Sequence, residues 1–349
     1  MTDSGSRPAL PPLRRLRQFM NTPAGGVVLL AALVLIIIGS AQLTGASSQR
    51  LLSLVVRGVM LGGILALGAI GLTLVSGVMK MANFAQGDLM SVGAYVALIA
   101  VTFLPQGPIL TPFSFGYELL VGIVLALVVT GLVAVVLDRL IYRHLRARRA
   151  GTVVLAMASL GAALFLRSII YLIWGADFSF YYSGRPRPAL QLFEGISVRP
   201  DQLFILGLAV VFIILIWVLL EHTRLGKAMR ATADNADLAR VSGINTKAVV
   251  TWTWLIGGGL AGVSGVMYGL YSQLRPEMGW FLLLPLFAGV ILGTIGNPYG
   301  ALAGSLIIGI AWQVSSLFLD PAYGPGVAFV LMILVLLFRP QGLFGKAGG

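Results

Sequence analysis

Apolar residues gather in long runs, each near the ~20 positions a helix needs to cross a bilayer. The runs cover residues 24–43, 51–76, 84–104, 118–141, 152–175, 203–220, 248–271, 280–296, 299–319 and 323–338. This pattern predicts an all-α polytopic membrane protein with about 8–10 transmembrane helices. The pair 280–296 and 299–319 sets the range, because Pro285, Asn297 and Pro298 leave little room for a loop between two full crossings. If that pair only dips into the membrane, eight spans remain and both chain ends keep the same side. The run 24–43 exceeds the apolar core of a cleaved signal peptide and lacks a convincing A-x-A site, so it reads as a retained span. Residues 1–22, rich in Pro and Arg, form a basic tail expected to be disordered. The membrane domain is 23–339, and 340–349 is a short C-terminal tail.

One stretch breaks the pattern. Between two apolar runs, Lys80–Asp88 inserts a cation, two amides (Asn83, Gln86), Phe84, a glycine (Gly87) and a carboxylate (Asp88). Lone polar groups in hydrocarbon are costly, and irregular backbone at membrane depth is tolerated only against protein or a water-filled cavity. We therefore read Asn83, Phe84, Gln86, Gly87 and Asp88 as lining a translocation path.

Composition agrees with the pattern: of 349 residues 58% are hydrophobic and 10% charged, too few charges for a soluble surface of this size. The formal charge of +12 looks at first like a nucleic-acid signal. Its distribution says otherwise. Of 24 Lys and Arg, seventeen fall in segments on the side of the N-terminus and five on the other. The positive-inside rule then places both termini in the cytoplasm, and the partner of this charge is anionic membrane lipid rather than nucleic acid. The absence of cysteine excludes disulfides and thiolate metal sites. His144 and His222 sit in charged connections and read as solvated, so no metal site is expected. No phosphate loop, H-E-x-x-H or nucleophile elbow is present, and no catalytic residue is assigned.

Several features read as packing. Ala261, Gly265 and Gly269 recur every fourth position inside an apolar helix, as do Gly58, Gly62 and Ala66. Both are small-x-x-x-small faces for close helix contact. Arg57 and Arg167 lie within apolar runs, where a mid-bilayer charge costs about 2.5–3.5 kcal/mol. Arg57 is near enough to the outer end to snorkel. Asp88 is the only acid in or beside a span apart from those at helix ends, but the topology sets Asp88 towards the inner side and Arg167 towards the outer, which disfavours a pair with Arg167. The outer loop 176–202 carries mixed charge between prolines, which suits either a docking surface or a plain solvated loop.

The second informative stretch is Arg224–Asn245. Its alanines favour helix, and Arg230 and Asp234 stand at i,i+4. Leu238, Val241 and Asn245 recur at helical spacing, and Gly243 stands where a left-handed C-cap belongs. A short helix with a small apolar knob outside the membrane suits a groove on another subunit. An interfacial helix lying on lipid would want a broad Trp- or Phe-bearing face, which is missing. An ion-coupled secondary transporter is the competing class; it wants buried carboxylates along its path, and Asp88 alone qualifies.

Three stretches together resemble the permease subunits of branched-chain amino acid ABC importers. They are Asn83-Phe84-Ala85-Gln86-Gly87-Asp88 followed by Gly93-Ala94-Tyr95; Gly226-Lys227-Ala228-Met229-Arg230-Ala231 through Gly243-Ile244-Asn245; and Gly293 through Ala301 with the terminal Arg339–Gly345. The likeness covers roughly 50–345 and is closer to the first of the two paired permeases. It departs from the family pattern in the basic N-terminal tail and at Thr294, where glycine is commoner. The resemblance implies a vitamin B12-importer-like (type II) ABC permease fold in a bacterial inner membrane. It implies a second permease subunit, two cytosolic ATPases that bind ATP-Mg, and a periplasmic binding protein, with no cofactor in this chain. A coupling helix at about 232–243 would carry ATPase closure to the spans through Arg230, Asp234, Leu238, Val241 and Gly243. Asn297 joins Asn83 and Gln86 as a neutral amide of the path, and the implied substrate is a branched-chain or other hydrophobic amino acid. Relatives that move urea or short amides keep that alternative open.

Overall fold

The computed structural model describes residues 39, 47–105, 107–182, 190–193, 196–339 and 341–345. The tail 1–22, the expected first span 24–43 apart from Gly39, and residues 346–349 lie outside them, as do Arg185, Arg187 and Glu194 of the long loop.

Apolar composition sets the element order. Helices α1 (Ser48–Met79), α2 (Ala85–Phe103) and α3 (Tyr117–Leu137) come first. A π-helical turn (Asp138–Tyr142) extends α3 into α4 (Arg143–Ala147), followed by α5 (Thr152–Trp174). A hairpin of β1 (Leu190–Phe193) and β2 (Ile196–Val198), the one sheet among the described residues, leads to α6 (Pro200–His222). Two short helices, α7 (Arg224–Asp234) and α8 (Ala236–Val241), precede α9 (Thr246–Tyr271). The chain closes with α10 (Met278–Gly293), α11 (Pro298–Ser315) and α12 (Gly324–Phe338). Among the described residues six helices are long and apolar enough to cross a membrane: α1, α2, α3 with its extension, α5, α6 and α9. With the shorter α10, α11 and α12 they make the all-α polytopic architecture expected.

The helices fall into two groups. The most apolar windows of α1, α9 and α2 are 94%, 72% and 67% buried, against 33% for α5 and 22% for α6. Lipid is as apolar as leucine, so burial inside a membrane cannot come from a hydrophobic force between helices; it comes from close packing of small residues. The inner helices are built that way. A Cβ on Gly58 or Gly62 of α1 would reach 2.6 or 2.8 Å from the α11 backbone at Ile310 and Leu306. On α9, Gly257 touches α1, Gly258 and Gly262 touch α3, and Gly265 meets the Met90 carbonyl of α2. Both predicted small-residue faces are therefore real contacts, and that of α9 is wider than its four-residue spacing implied.

The pair expected at 280–296 and 299–319 consists of two helices shorter than those runs, joined by Thr294–Asn297, with positive φ at Thr294 (88°) and Gly296 (88°). Gly296 lies by Gly77 near the end of α1, while Gly309 meets Gly58 and Gly62 near its middle. Between those contacts α1 rises about 22 Å at 1.5 Å per residue.

Arg146 reaches Met79 Sδ at 3.2 Å, and residues 138–147 share a cavity wall with 240–251. One end of the bundle thus gathers Lys80, Arg139–Arg149 and Arg224–Lys247 and is called the basic end below. At the opposite end Asp201 accepts the Ser114 N–H at 2.8 Å and its hydroxyl, tying the loop before α3 to α6.

Candidate functional site: the broken segment and the basic end

Helix α1 stops at Lys80, which takes a left-handed conformation (φ 53°) and donates its N–H to the Ser76 carbonyl at 2.9 Å. The chain then runs without helical structure to Phe84, inside the bundle, and several polar groups of the break find partners there. The Phe84 N–H donates to Ser159 Oγ of α5 at 2.9 Å. Asn83 Oδ1 accepts the Ala85 N–H at 3.2 Å, and Asn83 Nδ2 donates to Gln86 Oε1 at 3.3 Å. Gln86 Nε2 donates to the carbonyls of Gly68 on α1 (3.3 Å) and Gly257 on α9 (3.1 Å). Asn83 and Gln86 are fully buried. A Cβ on Gly87 would strike the carbonyl of Gly279, so glycine lets α10 start against the first turn of α2.

These contacts set the depth. Ser159 is the eighth residue of α5 and Gly257 the twelfth of α9, about 10 and 16 Å from the basic ends of those helices at 1.5 Å per residue. The second apolar run thus begins as helix well inside the bundle rather than at its surface. The expectation that depth separates Asp88 from Arg167 is corrected by this geometry. Arg167 Nε and Nη2 donate to Asp88 Oδ1 and Oδ2, both at 2.9 Å, in a bidentate pair. The Asp88 side chain is fully buried, and the guanidinium also lies 5.0 Å from the Trp280 ring centroid. A carboxylate matched in this way offers no free site for a coupling ion.

Beneath the buried limb the break opens. Ser76, Gly77, Lys80, Met81 and Ala82 form one wall of a cavity of about 500 Å³. Thr152, Val153 and Ala156 of α5, Phe287 and Val290 of α10, and Ile295 and Gly296 complete it. The lining is mainly apolar, with Lys80 exposed. Phe84 backs this wall, its ring 5.3 Å from that of Phe287. Of the predicted path residues, then, Asn83, Gln86, Gly87 and Asp88 are locked above the cavity and Phe84 packs on its lining.

Asn297 stands elsewhere. Its Oδ1 caps α11 by accepting the Tyr299 and Gly300 N–H groups, both at 3.1 Å. It lines a second cavity of about 440 Å³ with Thr73, Gly77, Glu221, Arg230 and Asp234 among others. The two cavities share Gly77 and Gly296, and the Gly296 N–H donates to Thr73 Oγ1 at 2.8 Å. The end of α1 is the partition between them.

The expected single helix at 232–243 is two. Asn235 ends α7 and caps α8, its Oδ1 accepting the Asp237 and Leu238 N–H groups at 3.1 and 3.0 Å. Leu238 and Val241 project from α8 with 63% and 87% of their surface exposed. Gly243 has φ +85°, as its C-cap position requires. Arg230 pairs with Glu221 of α6 rather than with Asp234 in the next turn, and that carboxylate keeps its guanidinium firmly protonated. Glu221 Oε1 also accepts the Tyr299 hydroxyl at 2.7 Å. One carboxylate therefore joins α7, the end of α6 and the start of α11. Ser159, Phe287 and Glu221 have no part in the sequence reading, and Tyr299 enters it only within the stretch Gly293–Ala301; of the first three, Glu221, an acid closing an apolar run, carries a visible signal.

The class these features define is a polytopic helical permease with a broken segment at mid-depth. Residues 54–336 match the model of the family described as branched-chain amino acid transport system / permease component. The chain is 32% identical over 303 residues to the high-affinity branched-chain amino acid transport system permease protein LivH of Escherichia coli, covering 83% of this chain and 94% of that one. It is 29% identical to BraD of Pseudomonas aeruginosa over 303 residues, with the same coverage. It is 28% identical over 304 residues to the probable branched-chain amino acid transport permease protein LivH of Methanocaldococcus jannaschii (82% and 90%). No solved structure matches. The chain belongs to this family of permease components, and it is a multi-pass transport subunit rather than an enzyme.

Proposed function

We propose that this chain is the membrane subunit of an ATP-driven importer and moves branched-chain or similarly apolar amino acids handed over by a periplasmic binding protein. On this reading it lies in a bacterial inner membrane with both termini in the cytoplasm. It pairs with a second permease in a type II, vitamin B12-importer-like arrangement, and two cytosolic ATPases carrying ATP-Mg dock on its basic end. The observation that carries the proposal is the apolar knob of α8: among the described residues Leu238 and Val241 stand largely exposed on a short helix outside the bundle, as an apolar anchor for a partner's groove does.

The rest follows from position. Force on α8 passes through α7 and the Arg230–Glu221–Tyr299 junction to the end of α1, where the two cavities meet. The path runs along the break, with the apolar cavity at Met81 and Ala82 receiving the side chain of the substrate. Apolar walls with few polar groups favour a leucine-like side chain over urea or a short amide. Asn83, Phe84, Gln86, Gly87 and Asp88 form the rigid roof of this path, and Asn297 sets its far edge.

Purification of the full complex in mild detergent tests this. A nucleotide-binding subunit should co-purify, and Leu238→Asp or Val241→Asp should reduce its recovery at least tenfold while the permease stays folded. A chain that catalyses uptake with no ATPase bound would overturn the proposal.

A further inference from the structure

At the basic end the π-helical turn, α4, α8 and the first turns of α9 border a third cavity, of about 710 Å³, beside the surface on which the ATPases are proposed to dock. Its walls carry five cations, Arg139, Arg143, Arg146, Arg240 and Lys247, against one carboxylate, Asp138. Arg146 is bound to Asp138 at 2.7 Å and Arg240 to Asp237 at 3.2 Å. Arg139, Arg143 and Lys247 take part in no ion pair among the described residues. Three unmatched like charges converging on one cavity repel each other, so the cavity suits an anion.

A second feature says which anion. Leu132 and Val136 of α3 and Leu140 of the π-helical turn follow one another at four-residue steps, 52%, 50% and 68% exposed, beside Arg139 and Arg143. On α9, Trp252, next in sequence to the cavity residue Thr251, stands 49% exposed, and an exposed Trp one to two turns from the basic end of a spanning helix suits the belt where headgroups meet acyl chains. An acidic face on a soluble partner has no use for an apolar stripe running away from the cations. A molecule with an anionic head and a hydrocarbon tail uses both. The π-helical turn sits where the stripe ends and the cup begins, and such one-turn widenings recur at functional sites.

We propose that this cavity holds the phosphate headgroup of an anionic glycerophospholipid, between Arg139, Arg143 and Lys247, with an acyl chain laid along Leu132, Val136 and Leu140. The basic charge of the chain then has one built site as well as its diffuse role in orientation.

Native mass spectrometry of the full chain in mild non-ionic detergent tests this, with phosphatidylglycerol and phosphatidylcholine of identical acyl chains added in turn. At least tenfold preference for phosphatidylglycerol is expected. Each of Arg139→Ala, Arg143→Ala and Lys247→Ala should weaken it about fivefold, and all three together on the order of 100-fold, at roughly one surface-cation contribution each. Arg139→Lys with Arg143→Lys should retain binding, as should Arg275→Ala at the opposite end. Equal retention of the two lipids overturns the proposal. So does full displacement of phosphatidylglycerol by inorganic phosphate, which marks a free-anion site. Loss of ATPase capture in the triple variant with lipid binding unchanged also overturns it, because the cations then belong to a protein interface.

Discussion

Two regions of this chain break the match between residue and surroundings, and they resolve in opposite ways. At 80–88 polar groups sit in an apolar interior, and the chain itself supplies their partners: Ser159, two helix carbonyls and the Arg167 guanidinium. At 236–241 apolar side chains sit in a polar exterior, and among the described residues Leu238 and Val241 stay 63% and 87% exposed. The first region is complete and should resist change; the second is incomplete and should matter only in company. Buried polar groups bind a fold together when matched and cost heavily when one partner is removed, whereas an exposed apolar residue costs its own fold little.

The sharpest way to break the contrast is at Asp88. Asp88→Leu leaves the Arg167 guanidinium without its carboxylate, and Arg167→Leu does the reverse. Each should destabilise the protein by about 3–5 kcal/mol, the usual cost of breaking a buried pair. The double variant should recover most of that, since hydrophobic replacement of both partners is often near neutral. Thermal unfolding in detergent measures all three. If either single variant unfolds at the wild-type temperature, the break is not the rigid roof described above.

A smaller loss is expected where helices touch without polar groups. A Cβ on Gly93 would collide with the Gly262 Cα, so Gly93→Ala forces α2 from α9 and should cost about 1–3 kcal/mol. Gly161→Ala and Gly207→Ala, on the lipid-facing helices α5 and α6, meet nothing within 4 Å. Those should be neutral or slightly stabilising, because alanine is the better helix former by up to about 1 kcal/mol. The same unfolding assay separates the two groups.

How far these regions were legible follows from what kind of signal each carries. The break announced itself by composition, since Lys80–Asp88 is polar in an apolar stretch. Its depth did not, because depth was assigned by assuming that every span runs from surface to surface, while α2 starts beside the eighth residue of α5. The Arg167–Asp88 pair was set aside for that reason alone. The glycine faces were legible as four-residue repeats, yet the partner of each face is a tertiary fact with no local trace. Leu238 and Val241 were found by helical spacing, which survives in a helix of six residues. The bounds 232–243 come from the family resemblance, and Asn235, a strong capping residue in mid-segment, divides that stretch between two helices. Arg230 was given its neighbour at i,i+4, but a carboxylate from α6 reaches it first.

That last contact allows the finest test of the contrast. Glu221 stands between the two regions: one oxygen takes Arg230 from the protruding segment, the other takes Tyr299 at the head of α11. Both contacts are solvent-exposed, so Glu221→Gln should leave the unfolding temperature unresolved from wild type. If the junction only decorates the surface, uptake stays unchanged as well. If it transmits movement of α8 to the end of α1, the variant should still capture its ATPase through Leu238 and Val241, yet take up substrate severalfold more slowly for each ATP hydrolysed. Tyr299→Phe removes one contact of the two and should fall between Glu221→Gln and wild type. Recovery of ATPase, hydrolysis rate and uptake measured on one reconstituted sample separate a failed dock from a failed strut. Only the second outcome, with docking intact and coupling lost, makes Glu221 the link between the exposed knob and the buried break.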